Sequence, residues 1–331
     1  MIKNVVKNIL AFVSSILLLF IVAEVGFRVY TNYTSIYSIE MHKYALKLKK
    51  KSAIEGLTHE HILNSSAVLE KVQIDINSIG FRNKELTSKK ENEYRIMVLG
   101  SSITLGWGVP KDSVFTVITE NKLNSQNDSN YYNVVNTGIG NYNTEMQSIL
   151  FRKNIDKVNP DQVILHYFIN DAEEIKKGTN SWIVKHSYLF AYFYVRVTQA
   201  IALREAADHD IGNYYKDLYS DGAKGWIQAK KAMLEIQNTC KENKVPLIVI
   251  IQPDLHNISE DSPQVLCHER LHQFLDNNSI PYLDVIHAYR KEYKGNLMGL
   301  WAQKDDSHPN SIGHRIIANE LSRFEKKYLN E

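Results

Sequence analysis

The sequence predicts an α/β protein: a parallel sheet covered by helices on both faces, preceded by an amino-terminal transmembrane helix. Three observations carry this reading. From Tyr94 onward, short apolar runs alternate with segments of helical periodicity, and such alternation closes through right-handed crossovers into a parallel sheet. The runs are rich in β-branched residues, most clearly Pro246 to Ile251, as strands buried on both faces require. Residues 8–23, NILAFVSSILLLFIVA, carry no charge at all.

Glu24-Val-Gly-Phe extends the apolar run to Arg28, giving about 20 residues, enough for a helix to cross the hydrocarbon layer. Residues 1–7 read as a cytoplasmic tail and 8–28 as an anchor. Lys3 and Lys7 precede the run and only Arg28 closely follows it, which places the remainder outside the cytoplasm, on the periplasmic side. A cleaved signal peptide is the alternative, but Ile21-Val22-Ala23 puts a large residue where the cleavage motif wants a small one. Residues 29–90 read as a polar stalk and lead-in, with one strand at Val72 to Ile76 and a turn at Asn77 to Gly80.

Within residues 91–331 the expected strands are Arg95–Leu99, Tyr132–Val135, Gln162–His166, Pro246–Ile251 and Pro281–Val285. The expected helices are Phe115–Leu123, Thr144–Val158, Ser181–Ala207, Ala223–Asn243, Pro263–Asn277 and Ser311–Tyr328.

Composition narrows the function. Lys+Arg 39 against Asp+Glu 37 leaves a formal charge of +2, without the concentrated basic surface that a nucleic-acid partner needs. Lys47, Lys49, Lys50 and Lys51 read as a solvated linker face, with anionic headgroups as the lesser alternative. Cys240 and Cys267 are too few and too far apart for a metal knuckle, and whether they pair stays open. With no Gly-rich phosphate loop and no close His/Cys cluster, the sequence calls for no cofactor and no metal.

In parallel sheets, ligands bind beyond the carboxyl ends of the strands. Four motifs fall there. Gly100-Ser-Ser102-Ile-Thr104 follows the first strand and supplies a hydroxyl with little steric cover, a nucleophile once a base takes its proton. Asp305-Asp306-Ser-His308-Pro309 precedes the last helix and supplies that base, with a carboxylate to orient it. Asn170-Asp171 follows the third strand, and the Asn170 amide can donate to an oxyanion. Asn136 to Thr144 follows the second strand and offers the Asn141 backbone N–H to the same oxyanion. Each motif alone also reads as an ordinary turn or helix cap; together they hold every part of an acyl-transfer site.

These blocks resemble the SGNH (GDSL-like) hydrolase family, in a membrane-anchored, envelope-located form. Gly100 to Thr104 is similar to its Gly-Asp-Ser-x-Thr block, Asn170-Asp171 to the end of its third, and Asp305 to Pro309 to its Asp-x-x-His-Pro block. The resemblance spans roughly residues 94–328 and implies a flavodoxin-like three-layer α/β/α fold with a metal-free Ser-His-Asp triad. It maps the nucleophile onto Ser102 and the base onto His308. Asp305 fits the family's common spacing and Asp306 the shorter one, with a slight preference for Asp305. Ser101, Asn141 and Phe168 depart from the family's usual Asp, Gly and Gly. The implied activity is ester hydrolysis, foremost as a carbohydrate O-acetylesterase. Alternatives are O-acyl transfer to cell-surface polysaccharide, a lysophospholipase or thioesterase, and a catalytically silent binding module.

Asp254, His256 and Trp301 are further candidates for the site rim, with a hydrogen-bonded loop as the simpler reading of the first two. His166 reads as a core histidine, and the aromatic stretch Tyr188 to Tyr194 as part of a packed amphipathic helix, with a cover over an acyl pocket or a rest on the bilayer as the alternatives.

Overall fold

The computed structural model describes residues 2–125, 130–174, 181–206 and 211–330. The chain divides into two compact units: residues 1–46 with 177–208, and residues 47–176 with 209–331.

The larger unit is built on a five-stranded parallel sheet. Ahead of it come two antiparallel hairpins, β1 (Lys49–Lys51) with β2 (His59–His61) and β3 (Ser65–Leu69) with β4 (Val72–Ile76). The sheet strands are β5 (Glu93–Leu99), β6 (Tyr131–Asn136), β7 (Gln162–Phe168), β8 (Leu247–Gln252) and β9 (Tyr282–Asp284), and a hairpin of β10 (Trp301–Gln303) and β11 (Asp306–Pro309) follows. Spatial order in the sheet is β6-β5-β7-β8-β9, the doubly wound order in which the strand sequence reverses between β5 and β7.

Alternation along each strand divides the core in two. Met97, Leu99, Val163, Leu165, Val249 and Ile251 pack with the helices Thr144–Val158, Lys224–Glu242 and Val265–Asn277. Ile96, Val98, Val134, Ile164 and Ile250 pack with Phe115–Asn124 and Ser311–Asn330. The result is the expected three-layer arrangement. Cys240 and Cys267 are buried free thiols on two helices of the first layer; burial pushes each up to about 12.

The unit's first residues lie well inside the segment expected to be stalk. Asn77 closes the lead-in turn by accepting from the backbone N–H groups of Ile79 and Phe81. Arg82 then enters the core, only 5% exposed, and donates to the carbonyls of Gln73, Leu105, Gly106 and Val109. A buried guanidinium is tolerated because its fork of donors is satisfied by oxygens.

The smaller unit contains the helix Ile2–Tyr33, whose best 18-residue window has mean hydropathy 2.5, long and apolar enough to cross a membrane. The helices Trp182–His186 and Tyr188–Ala206 belong to the same unit. The expected single stretch from Ser181 is broken at Ser187, whose hydroxyl donates to Glu24. Its expected last residue, Ala207, lies outside the described residues.

Candidate active site

The end of β5 is shaped for close approach. A Cβ on Gly100 would lie 2.0 Å from Thr104 Oγ1 and 3.2 Å from the His166 carbonyl oxygen, so only glycine fits before the turn. The helix Ser102–Leu105 begins at once, and Gly106 ends it at φ 80°, a left-handed value that glycine adopts without strain. Arg82 holds the far end of this helix through its bonds to Leu105 and Gly106. Ser102 is therefore the first residue of a short, pinned helix at the sheet's carboxyl edge.

His308 arrives from the other end of the chain, on β11. Its Nε2 lies 2.7 Å from Ser102 Oγ, and its Nδ1 lies 2.5 Å from Asp306 Oδ1. Asp306 is 3% exposed and is itself held: Oδ1 accepts the His308 backbone N–H at 3.1 Å and Oδ2 accepts the Trp107 indole N–H at 2.8 Å. Of the two carboxylates weighed in the sequence, Asp306 and not Asp305 is the one bonded to the His308 ring. The strand conformation of Asp306–Pro309 brings the carboxylate two residues before the histidine back to the ring, while Asp305 lies exposed beside Lys304 at the hairpin turn.

Trp107 escaped the sequence reading. It lies five residues beyond Ser102, is 1% exposed, and joins the Ser102 loop to Asp306 through its indole N–H. A tryptophan between two glycines, Gly106 and Gly108, was the signal, since a buried indole N–H requires a partner.

The loop after β6 carries the second block. Gly138 is obligatory, because a Cβ there would lie 2.3 Å from the Leu105 backbone nitrogen. Asn141, standing where the resembled family has glycine, has φ 68°; asparagine is among the side chains that best tolerate this region. The Gly140 carbonyl accepts from Lys49 Nζ at 2.9 Å and is bonded to His59 Nε2 at 2.9 Å, while Lys49 also donates to Asn141 Oδ1 at 2.7 Å. The β1–β2 hairpin thus grips the peptide whose other end is the Asn141 N–H. Fixing and polarising that carbonyl orients and strengthens the N–H as a donor. Desolvation lowers Lys49 to about 7 and His59 to about 3, so His59 acts as a neutral donor. Neither residue was singled out in the sequence, where Lys49 appeared only as one of a run of lysines.

Asn170 sits in the turn Ile169–Ala172 just past β7. Asp171 anchors this turn to the neighbouring helix, accepting from Gln147 Nε2 at 2.9 Å and Thr144 Oγ1 at 3.5 Å. Burial pushes its carboxyl up to about 8. The Asn170 Oδ1 is buried without a hydrogen-bond partner among the described residues. Ser102, Asn141 and Asn170 hence follow β5, β6 and β7, the three strands at and beside the switch point.

His166 bonds Thr104 Oγ1 through Nδ1 at 2.9 Å and is buried; desolvation lowers it to about 4, a neutral core histidine. Asp254 accepts from Tyr215 and bonds His256 Nδ1 at 2.5 Å, and the Trp301 ring lies 4.9 Å from that of His256. Trp301 pairs with Pro309 in the hairpin that carries His308. His268, His272 and Asp284 form a separate brace, both rings bonding one carboxylate oxygen at 2.7 and 2.8 Å.

The chain is similar to a two-domain esterase active on acetylated mannans, with 15% identity over 72% of this chain and 50% of that one, at a TM-score of 0.46. It spans about half the length of that enzyme. A putative acylhydrolase from Bacteroides fragilis matches at 18% identity over 75% of this chain and 94% of that one, TM-score 0.41. A GDSL-like lipase from Bacteroides thetaiotaomicron matches at 16% over 73% and 93%, TM-score 0.40. No family model matches the sequence, and no curated protein does.

Proposed function

We propose that the chain is a serine-dependent ester hydrolase, foremost a carbohydrate O-acetylesterase, held by its amino-terminal helix with the catalytic unit outside the cytoplasmic membrane. The observation that carries this reading is the continuous relay Ser102 Oγ–His308 Nε2 and His308 Nδ1–Asp306 Oδ1, at 2.7 and 2.5 Å. Ser102 attacks the ester carbonyl as His308 takes its proton. The N–H groups of Ser102 and Asn141 and the Asn170 amide receive the oxyanion. His308 returns the proton to the leaving alcohol, then activates water to release the acid and free Ser102. Asp306 keeps the imidazole in the tautomer that presents a bare Nε2 to the serine. The rim of Trp301 and His256 supports a sugar as substrate, since flat rings are suited to the apolar face of a pyranose.

Labelling of the purified full chain by a fluorophosphonate, with p-nitrophenyl acetate turnover beside it, tests the proposal. Labelling and turnover that both vanish in Ser102→Ala are expected. Wild-type protein that neither labels nor turns over ester overturns it in favour of a silent binding module. Acyl transfer to an added oligosaccharide, followed by mass spectrometry, separates a transferase from a hydrolase.

A further inference from the structure

The helix Tyr188–Ala206 carries an exposed apolar stripe. Phe190, Phe193, Tyr194, Val197 and Ile201 are all exposed, and their spacing of three and four puts them on one helical face. Ala191, at the edge of the stripe, is buried. Lone exposed apolar residues need no explanation, whereas five aligned ones indicate a partner.

The start of this helix is fixed against the helix Ile2–Tyr33. Glu24 accepts from Ser187 Oγ and from the backbone N–H groups of Tyr188 and Leu189, and Arg28 donates to the His186 carbonyl. The Arg28 guanidinium also stacks 4.2 Å over the Tyr188 ring. Two ring contacts then give the direction. Phe190 packs on Phe20 with centroids 5.1 Å apart, and Tyr192 packs on Phe27 at 5.4 Å. Phe20 and Phe27 are separated by about 10 Å along their helix axis at 1.5 Å per residue, whereas Phe190 and Tyr192 are near neighbours on opposite faces of theirs. The second helix therefore lies across the first. Its striped face, represented by Phe190, looks toward the uncharged run that ends at Ala23, and its other face, represented by Tyr192, looks toward the aqueous end.

We propose that Tyr188–Ala206 is an interfacial helix lying in the plane of the membrane, with the phospholipid bilayer covering its Phe190-to-Ile201 stripe. An in-plane helix buries one apolar face at the boundary of headgroups and acyl chains and keeps its polar face in water. Arg196 is drawn off the stripe, 5.1 Å from the Tyr192 ring, and Trp182, 72% exposed just upstream, has the amphipathic ring found at membrane interfaces. The inference rests on the reading of Ile2–Tyr33 as a membrane span and is independent of the ester chemistry.

Site-directed spin labelling tests it on the full chain reconstituted in phosphatidylcholine vesicles. Labels go on single cysteines introduced as Leu18→Cys, Val197→Cys, Ile201→Cys and Gln199→Cys; Cys240 and Cys267 are buried with thiols pushed up to about 12 and so react poorly. The expected result is a several-fold higher ratio of oxygen to nickel-chelate collision at positions 18, 197 and 201 than at 199. Water-like ratios at 197 and 201, with lipid-like ratios at 18, overturn the interfacial helix and leave the anchor standing. A lipid-like ratio at 199 as well also overturns it, since the helix would then be immersed on all sides. Water-like ratios at 18 overturn the anchor and the inference together.

Discussion

Replacing Asp306 with asparagine is the sharpest perturbation of the relay, because it changes charge and hydrogen bonding with almost no change in volume. In the native arrangement the carboxylate accepts three bonds: the His308 ring N–H, the His308 backbone N–H and the Trp107 indole N–H. An asparagine oxygen can keep the indole bond, but its amide nitrogen then faces Nδ1 and donates to it. The ring proton must move to Nε2, where it points at Ser102 and blocks proton acceptance. The imidazolium that forms during attack also loses its neighbouring charge. The same tautomer error elsewhere lowers turnover about 10⁴-fold, equivalent to about 5.4 kcal/mol of barrier at 1.36 kcal/mol per tenfold. Asp305→Asn, by contrast, alters an exposed side chain and should change turnover by no more than about twofold, the equivalent of ~0.5 kcal/mol, the usual ceiling for surface substitutions. The assay is kcat on p-nitrophenyl acetate for both variants, with thermal melts to confirm folding. Equal losses in the two variants, or a larger loss in Asp305→Asn, would refute the assignment of Asp306.

Lys49→Met removes one of the two grips on the Gly140 carbonyl; kcat should fall about 10- to 100-fold, short of the loss seen when an oxyanion donor is deleted outright, with KM nearly unchanged and partial recovery in Lys49→Arg. Steady-state kinetics on the same ester check it. Gly138→Ala drives a Cβ into backbone atoms of Thr104 and Leu105 and should destabilise the fold by at least about 1–3 kcal/mol, the usual cost of overpacking, read as a lower midpoint in urea. His61 and His166 are buried and held neutral, each lowered to about 4 by desolvation. The unfolded chain protonates them near 6.5, so their contribution to stability is present above that pH and is lost as pH falls toward 4. Replacing His61 with glutamine should flatten the fall in denaturation free energy between pH 6.5 and 4, measured by urea titration at successive pH values; an unchanged slope would count against a neutral buried ring.

The sheet, its covering helices and the apolar amino-terminal helix were legible in the sequence because each follows from local chemistry. Helix Thr144–Val158 and strand Val72–Ile76 appear with their expected ends, and β8 differs from its expected bounds by a single residue at each end. Burial on both faces selects β-branched runs wherever a central parallel strand occurs, so that signal survives without knowledge of neighbours. The β3–β4 hairpin was only half visible. Its turn residues Glu70 and Lys71 take φ of 49° and 61°, a conformation normally announced by Asn-Gly, and here imposed by the pairing of the strands. The β1–β2 hairpin, with three lysines in one strand, carries no hydrophobic alternation at all and exists through its contacts. By itself the sequence determined which atoms were available for chemistry: a hydroxyl, an imidazole, two adjacent carboxylates and two asparagines near strand ends. Only the tertiary structure shows which of Asp305 and Asp306 bonds the His308 ring, because that depends on how a strand turns its side chains beside a ring more than 200 residues from Ser102. It likewise brought in Trp107, Lys49 and His59, whose contacts are with partners remote along the chain; those of Lys49 and His59 leave no trace in local spacing.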